Sequence, residues 1–321
     1  MSDRQVYAGI DIGGTNIKFG FFNRNGEVLY RQQKPTMAEK GPQPLMHLVT
    51  NIGEQLLYYA AEEEYSIEYV GVGSPGAVNN ITGQVIGPCP NIPGWTGMQI
   101  GAILNERLNM PVFVDNDVNA MALAEYKFGA AKNAKSVVCV TVGTGIGGGV
   151  IIDGKVIHGA NYTGGELGHM TINFDGPECA CGNRGCIESY CSSKYILEQV
   201  KNALKKDLSP VFAEILENDL ENLTIKKLFA AVKKDDALAV AVIHQTAAYL
   251  GTGLAGIVNL LNPETVVIGG GITDGGGGFV EAVEAEIKKR AFSSATEKLK
   301  VVSAALGNDA GFIGAGLLGS L

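Results

Sequence analysis

Three cysteines and a histidine are the first residues in this chain whose types and spacing could do chemistry. Cys179, Cys181 and Cys186 follow a C-x-C-x4-C spacing, and His169 stands ten residues upstream. Three thiolates and an imidazole make a full tetrahedral set for zinc, and a site with all four ligands from protein holds structure rather than performing metal chemistry. The competing readings are buried small cysteines or a disulfide between two of them. Gly176, Pro177, Gly182 and Gly185 punctuate the segment as a tight loop, which suits ligands converging on one point. Glu166 and Glu188 flank the cluster, so a zinc knot would fix where these carboxylates point.

Two glycine-rich turns offer a second chemistry. Asp11-Ile12-Gly13-Gly14-Thr15 and Gly143-Thr144-Gly145 each follow an apolar run, and backbone N–H groups without obstructing side chains make a cradle for phosphate oxygens, with Thr15 and Thr144 adding hydroxyls. A hard carboxylate such as Asp11 could orient a hydrated magnesium ion beside them. Neither turn fits G-x4-G-K-[ST] or a G-x-G-x-x-G that opens a helix. Together with a third run, Gly269-Gly270-Gly271, they suggest a nucleotide site. At Asp115-Asn116-Asp117 a strand meets a helix, the place where ligands of α/β proteins gather. Capping that helix needs one side chain, and the junction has three. A carboxylate here could take the proton of a substrate hydroxyl as it attacks phosphorus. Asn91, Asn116, Glu166, His169 and Glu188 are groups suited to the hydroxyls of a neutral polyol. Paired carboxylates would also fit glycoside hydrolysis, but the two glycine turns would then have no task.

The elements that must position these groups follow from periodicity. Val6–Asp11, Ile17–Phe22 and Glu27–Gln32 read as strands joined by the glycine turn and by Asn25-Gly26, a strong hairpin signal. A helix over 44–63, a strand at Tyr69–Ser74, a helix over 98–108, a strand at Val112–Asp115 and a helix to about Phe128 come next. Val137–Val142, Gly147–Ile152 and Lys155–His158 then repeat the opening, which reads as duplication of one half-structure. Helices over 192–206, 225–233, 235–261, 278–291 and 310–318 and strands at Thr265–Ile268 and Lys300–Ser303 complete the chain. The glycine run at 274–278 reads as a loop by composition.

Length and composition bound the rest. With 321 residues and 46% hydrophobic content the chain can bury a core and is long enough for two domains. A net charge of −8 gives no reason to expect nucleic acid or an anionic membrane as partner. No secretory signal is expected at the N-terminus, and three crowded plus three dispersed cysteines suit a reducing compartment, so the cytoplasm is expected. The stretch 237–263 has no Asp, Glu, Lys or Arg and is long enough to cross a bilayer. His244, Gln245, Thr246, Thr252 and Asn259 within it favour a buried helix, serving as core or as subunit interface.

In motif order the chain resembles the ROK family of sugar kinases. DIGGTN at Asp11–Asn16, SPGAV at Ser74–Val78, NIPGW at Asn91–Trp95, DNDVNA at Asp115–Ala120, VGTGIGGG at Val142–Gly149, GELGH at Gly165–His169, CACGNRGCIE at Cys179–Glu188 and VVIGGGI at Val266–Ile272 carry the likeness. The resemblance implies an α/β, two-lobed actin-like ATPase (ribonuclease H-like) fold with duplicated mixed sheets flanked by helices. Its smaller lobe would be 1–117 with 309–321, and its larger lobe 118–308 with a zinc-binding segment at 164–189. It implies transfer of a phosphoryl group from ATP to the 6-hydroxyl of a hexose, with Asp117 as general base and Asp115 structural. The sugar would lie against Asn91, Asn116, Asp117, Glu166, His169 and Glu188 and the backbone near Gly76. ATP would lie on Asp11, Gly13, Gly14, Thr15 and Asn16, on Gly143, Thr144 and Gly145, and near Gly270 and Gly271, with Mg2+ travelling with it. Structural Zn2+ would sit on His169, Cys179, Cys181 and Cys186. NIPGW with GELGH leans towards glucose, with N-acetylmannosamine, N-acetylglucosamine and fructose as alternatives. The family also contains repressors with an N-terminal helix-turn-helix domain, which is not expected here because the phosphate loop begins at Asp11. A homodimer is expected.

Overall fold

The computed structural model describes residues 4–273 and 278–320; residues 274–277 of the expected glycine loop lie outside the described residues. Strands β1 (Gln5–Ile12), β2 (Asn16–Phe22) and β3 (Val28–Pro35) form an antiparallel meander. The Asn25-Gly26 turn closes because Asn23 Oδ1 accepts the N–H groups of Asn25 and Glu27. Helix α1 (Pro42–Glu62) opens with proline in its first turn, where no N–H is missed. Strand β4 (Ser66–Ser74), a two-residue ribbon of β5 (Val78–Asn79) and β6 (Gln84–Val85), helix α2 (Ile100–Leu108), strand β7 (Val112–Asn116) and helix α3 (Asp117–Lys127) follow. The second series is β8 (Ser136–Val142), β9 (Ile146–Ile152) and β10 (Lys155–Val156), then α4 (Glu188–Cys191), α5 (Ser193–Leu204), α6 (Pro210–Leu216), α7 (Ile225–Val232) and α8 (Ala237–Leu261). Strand β11 (Thr265–Gly269), helices α9 (Phe279–Arg290) and α10 (Ser293–Thr296), strand β12 (Lys300–Ser303) and helix α11 (Ala310–Leu317) end the chain.

The strand orders are β3-β2-β1-β4-β7 and β10-β9-β8-β11-β12. Each sheet has a three-strand meander on one side, and its first strand is followed by two parallel neighbours. The duplication expected from the repeated strand and glycine-turn pattern is therefore present. Some details differ from the reading of the sequence. Strand β10 stops at Val156, two residues before His158, while the β5–β6 ribbon and helices α4, α6 and α10 are additional. Helix α6 is set by Ser209, whose hydroxyl accepts the Phe212 N–H, with Pro210 next in line.

Two compact units result: residues 1–135, 149–165 and 305–321 form the first, and residues 136–148 and 166–304 the second. This differs from the division expected at 117/118 and 308/309, because α3 packs on α11 and both stay with the first sheet. In the first unit one sheet face meets α1 and α2 through Ile10, Phe19, Val72, Leu56, Trp95 and Leu104. The other meets α11 and α3 through Phe22, Ala124, Phe312 and Ile313. Helix α11 lies so close to that face that a Cβ on Gly71 would run into the Ala315 carbonyl. In the second unit β11 is buried at every position, as a strand covered on both faces must be. Helix α8 is long and apolar enough to cross a membrane by length and composition. Its Val242, Leu250, Leu254 and Val258 are buried, and it packs against α4, α5, α7 and α9.

Candidate active site

The first group of candidate residues gathers at the C-terminal ends of the parallel strands of the first unit, the usual place for a ligand in an α/β sheet. Pairing sets Asp11 beside Gly73, Gly73 beside Asp115 and Ser74 beside Asn116. A Cβ on Gly73 would sit 3.4 Å from the Asp117 Cα and 3.7 Å from Asp11 Oδ1, so both carboxylate residues flank that glycine. Burial pushes the Asp11 carboxyl up to about 6, against the opposing pull of Lys18.

The three polar residues after β7 take separate tasks. Asn116 is the N-cap of α3: its Oδ1 accepts the N–H groups of Val118 at 2.9 Å and Asn119 at 3.2 Å. Its Nδ2 donates to the Gly76 carbonyl at 3.1 Å, which joins two predicted substrate residues and leaves one amide proton for a further acceptor. Asp115 is 2% exposed. One of its oxygens accepts from the Asn116 N–H at 2.7 Å and Asn119 Nδ2 at 3.0 Å, and the other lies 2.6 Å from His158 Nε2. The hydrogen bond to Asp115 raises the His158 pKa, with burial opposing it. Asp117 is the first residue of α3 and is half-buried.

Nearby loops are fixed by buried groups. Trp95 is fully buried and its indole N–H donates to Ser74 Oγ at 3.0 Å, which anchors the loop carrying the exposed Asn91. The Asp11–Asn16 turn closes through Gly13 N–H to the Asn16 carbonyl and through Thr36, whose hydroxyl donates to the Gly13 carbonyl. Gly14 and Thr15 are left exposed, and a Cβ on Gly14 would lie 3.7 Å from that of Asn91.

The second unit assembles the remaining candidates. The ligand atoms of His169, Cys179, Cys181 and Cys186 all lie within 4.8 Å of one another. Cys181 Sγ and Cys186 Sγ are 3.8 Å apart, and His169 Nδ1 is 3.7 Å from Cys179 Sγ. Zinc–sulfur bonds of ~2.3 Å at tetrahedral angles put sulfur atoms roughly 3.8 Å apart, so this donor set fits zinc. All six cysteines are free, which sets aside a disulfide. The loop needs glycine at 185, where φ is 68° and a Cβ would strike the Asn173 carbonyl. His169 turns its other nitrogen to Glu166, with Nε2 4.0 Å from Oε2. Glu188 heads α4 with Oε1 3.8 Å from Cys179 Sγ, and its Oε2 accepts the Ile146 N–H at 2.8 Å, just after Gly145. The cluster thus fixes Glu166, His169 and Glu188 beside the second glycine turn. The Gly270 turn adjoins the same strand end, since a Cβ there would meet the Val142 carbonyl; Gly270 and Gly271 are exposed.

Two residues of this geometry escaped the sequence reading. His158 is separated from Asp115 by 43 positions, and an isolated histidine at a strand end gives no signal. Glu125 is a fully buried carboxylate. It accepts the N–H groups of Ala130 at 2.8 Å and of Ala305 and Leu306 at 2.9 Å, tying the end of α3 to the segment before α11. Its place among helix alanines was the one available hint.

Known proteins resemble this chain in sequence and fold. The ROK family pattern matches residues 7–320. The chain belongs to the ROK family. A glucokinase of Halalkalibacterium halodurans is 35% identical over 320 residues, 99% of this chain and 96% of its own. A solved ROK family glucokinase from Streptomyces griseus, in complex with glucose and AMPPNP, is 29% identical with a TM-score of 0.84, covering 97% of this chain and 98% of that one. A xylose repressor of Caldicellulosiruptor bescii is 31% identical over 293 residues, 91% of this chain and 72% of the repressor. This ROK protein has the actin-like ATPase fold, with mixed sheets flanked by helices.

Proposed function

We propose that this ROK protein transfers the γ-phosphoryl group of ATP to the 6-hydroxyl of a hexose, with glucose as preferred acceptor and Asp117 as general base. One observation carries the reading: the sorting of the three polar residues after β7. Asp115 is buried and saturated by His158, Asn119 and the backbone, and Asn116 caps α3. Asp117, half-buried at the head of α3 and across Gly73 from Asp11, is the carboxylate we assign to the substrate proton. The hydroxyl oxygen attacks the γ-phosphorus, its proton passes to Asp117, and ADP leaves. Sugar hydroxyls are assigned to Asn91, Asn116, Asp117, Glu166, His169 and Glu188, with backbone at Gly76. The phosphates are assigned to Gly13, Gly14, Thr15 and Asn16 and to Gly143, Thr144 and Gly145, and adenosine to Gly270 and Gly271. Magnesium bound with ATP supplies charge neutralisation, and Asp11 is suited to hold its waters. His169, Cys179, Cys181 and Cys186 would hold zinc, whose contribution is to fix the Glu166–Glu188 loop.

The kinase names among the relatives support this reading, while the repressor relative shows that the fold alone does not decide it. We place the protein in the cytoplasm as a homodimer; light scattering on the purified chain tests the dimer. The activity test is ADP release with MgATP over glucose, N-acetylglucosamine, N-acetylmannosamine and fructose. A clear preference for glucose is expected. Preference for another hexose would retain the mechanism and change the acceptor, whereas silence on every sugar would replace the kinase by a sugar sensor.

A further inference from the structure

We propose that His158 is a positioning residue for phosphoryl transfer, holding the Asp117 carboxylate in place through Asp115. This rests on the kinase reading above. Asp115 is a two-ended clamp. Its Oδ1 is tied to the Asn116 N–H at 2.7 Å and to Asn119 Nδ2 at 3.0 Å, so it grips the backbone before Asp117 and a side chain in the first turn after it. Its Oδ2 lies 2.6 Å from His158 Nε2, its hydrogen-bond partner among the described residues. The backbone that carries the imidazole is also held: the His158 carbonyl accepts the Gly164 N–H at 2.7 Å, closing the neck of the 158–164 loop. That loop runs along the chain directly into Glu166, so one side chain joins the base-bearing turn to the segment that leads to the sugar-binding carboxylate.

Removing the imidazole strands one oxygen of a carboxylate that is 2% exposed. A buried acceptor without its donor is costly, and Asp115 can escape that cost only by rotating or by taking up a proton. Either response loosens Oδ1 from Asn116 and Asn119, and the first residue of α3 moves with them. Displacing a catalytic group by about 1 Å costs on the order of 100-fold in rate. The hydrogen bonds of His158 go to Asp115 and the Gly164 N–H, outside the turns assigned to ATP, so the effect is expected on kcat.

The test compares His158→Ala, His158→Gln and His158→Asn with the wild type, reading kcat, KM for ATP, and amide hydrogen exchange at residues 116–119. Glutamine carries an amide nitrogen to the place of Nε2, and asparagine is too short to do so. His158→Ala should lose roughly 10- to 100-fold in kcat with KM for ATP little changed, and exchange at 116–119 should quicken. His158→Gln should recover most of both, and His158→Asn should not. Should the alanine variant fail to fold, the Gln and Asn pair decides. Wild-type turnover in His158→Ala or His158→Asn, or unchanged exchange at 116–119, would overturn the proposal. If the wild type turns over no hexose, the kinase reading fails, and exchange still decides whether His158 holds the turn.

Discussion

Neighbouring side chains at the strand-to-helix turn acquire different chemistry from small differences in direction. Asp115, Asn116 and Asp117 are consecutive, yet one is sealed in the interior, one closes the helix and one remains half-buried at its head. Asp11, across Gly73 from this turn, is held in a costly state. Its carboxyl is raised from 3.8 to about 6, chiefly by burial. Since the folded value lies above the unfolded one, the stability linked to this group is fully present below 3.8 and is lost as pH rises through about 6. The ligand-free Asp11→Asn variant should therefore melt higher than the wild type at pH 7.5, by on the order of 1–3 kcal/mol, with the gap shrinking as pH falls towards 4. Thermal melts across that range check this; a gap independent of pH would contradict it. The same variant should lose activity, the exchange of function for stability expected of a residue kept for its ligand.

Two elements hold the candidate groups in place by contacts that tolerate little change. The Cys/His loop proposed to hold zinc carries His169 and runs into Glu188 at the head of α4, so the four candidate ligands and the carboxylates are tied to one segment. Cys181→Ser should lose zinc and more than about 2 kcal/mol of stability, with activity falling in parallel. Metal analysis and melting of one sample test this, and a stable, active, zinc-free variant would refute the structural role. Helix α11 depends on Gly71 for its approach to the first sheet. Gly71→Val should destabilise the fold by at least ~1–3 kcal/mol, measured by denaturant unfolding, because the helix backbone cannot yield as a side chain would. Melting unchanged from wild type would show that α11 sits less tightly than described.

For the molecule as a whole, the sequence pattern reveals the two-fold repetition of strand order but not the links that finish the site. Asn25-Gly26, the alternating strands and the paired glycine turns announce both meanders, because turn chemistry and side-chain period are local. The gathering of His169 with three cysteines was equally legible, since Cys179, Cys181 and Cys186 lie within one loop. By contrast, the family resemblance implied a structural Asp115 and Asp117 as general base, but the partner that seals Asp115 was not legible, because His158 arrives from another part of the chain. Glu125 reaches Ala305 and Leu306 across long separation for the same reason, and the expected boundary at 117 missed that α3 belongs with α11. Long-range contacts of single side chains leave no period to read. The fold is shared with kinases and with a repressor, so function must be argued from the site.

The most direct test sets wild type beside Asp117→Ala in a coupled ADP-release assay with MgATP and glucose, with glucose binding followed by calorimetry on both. The account predicts turnover by the wild type and, in a folded variant that still binds glucose, a loss of at least ~100-fold in kcat. Near-normal turnover by Asp117→Ala would contradict the assignment of the general base.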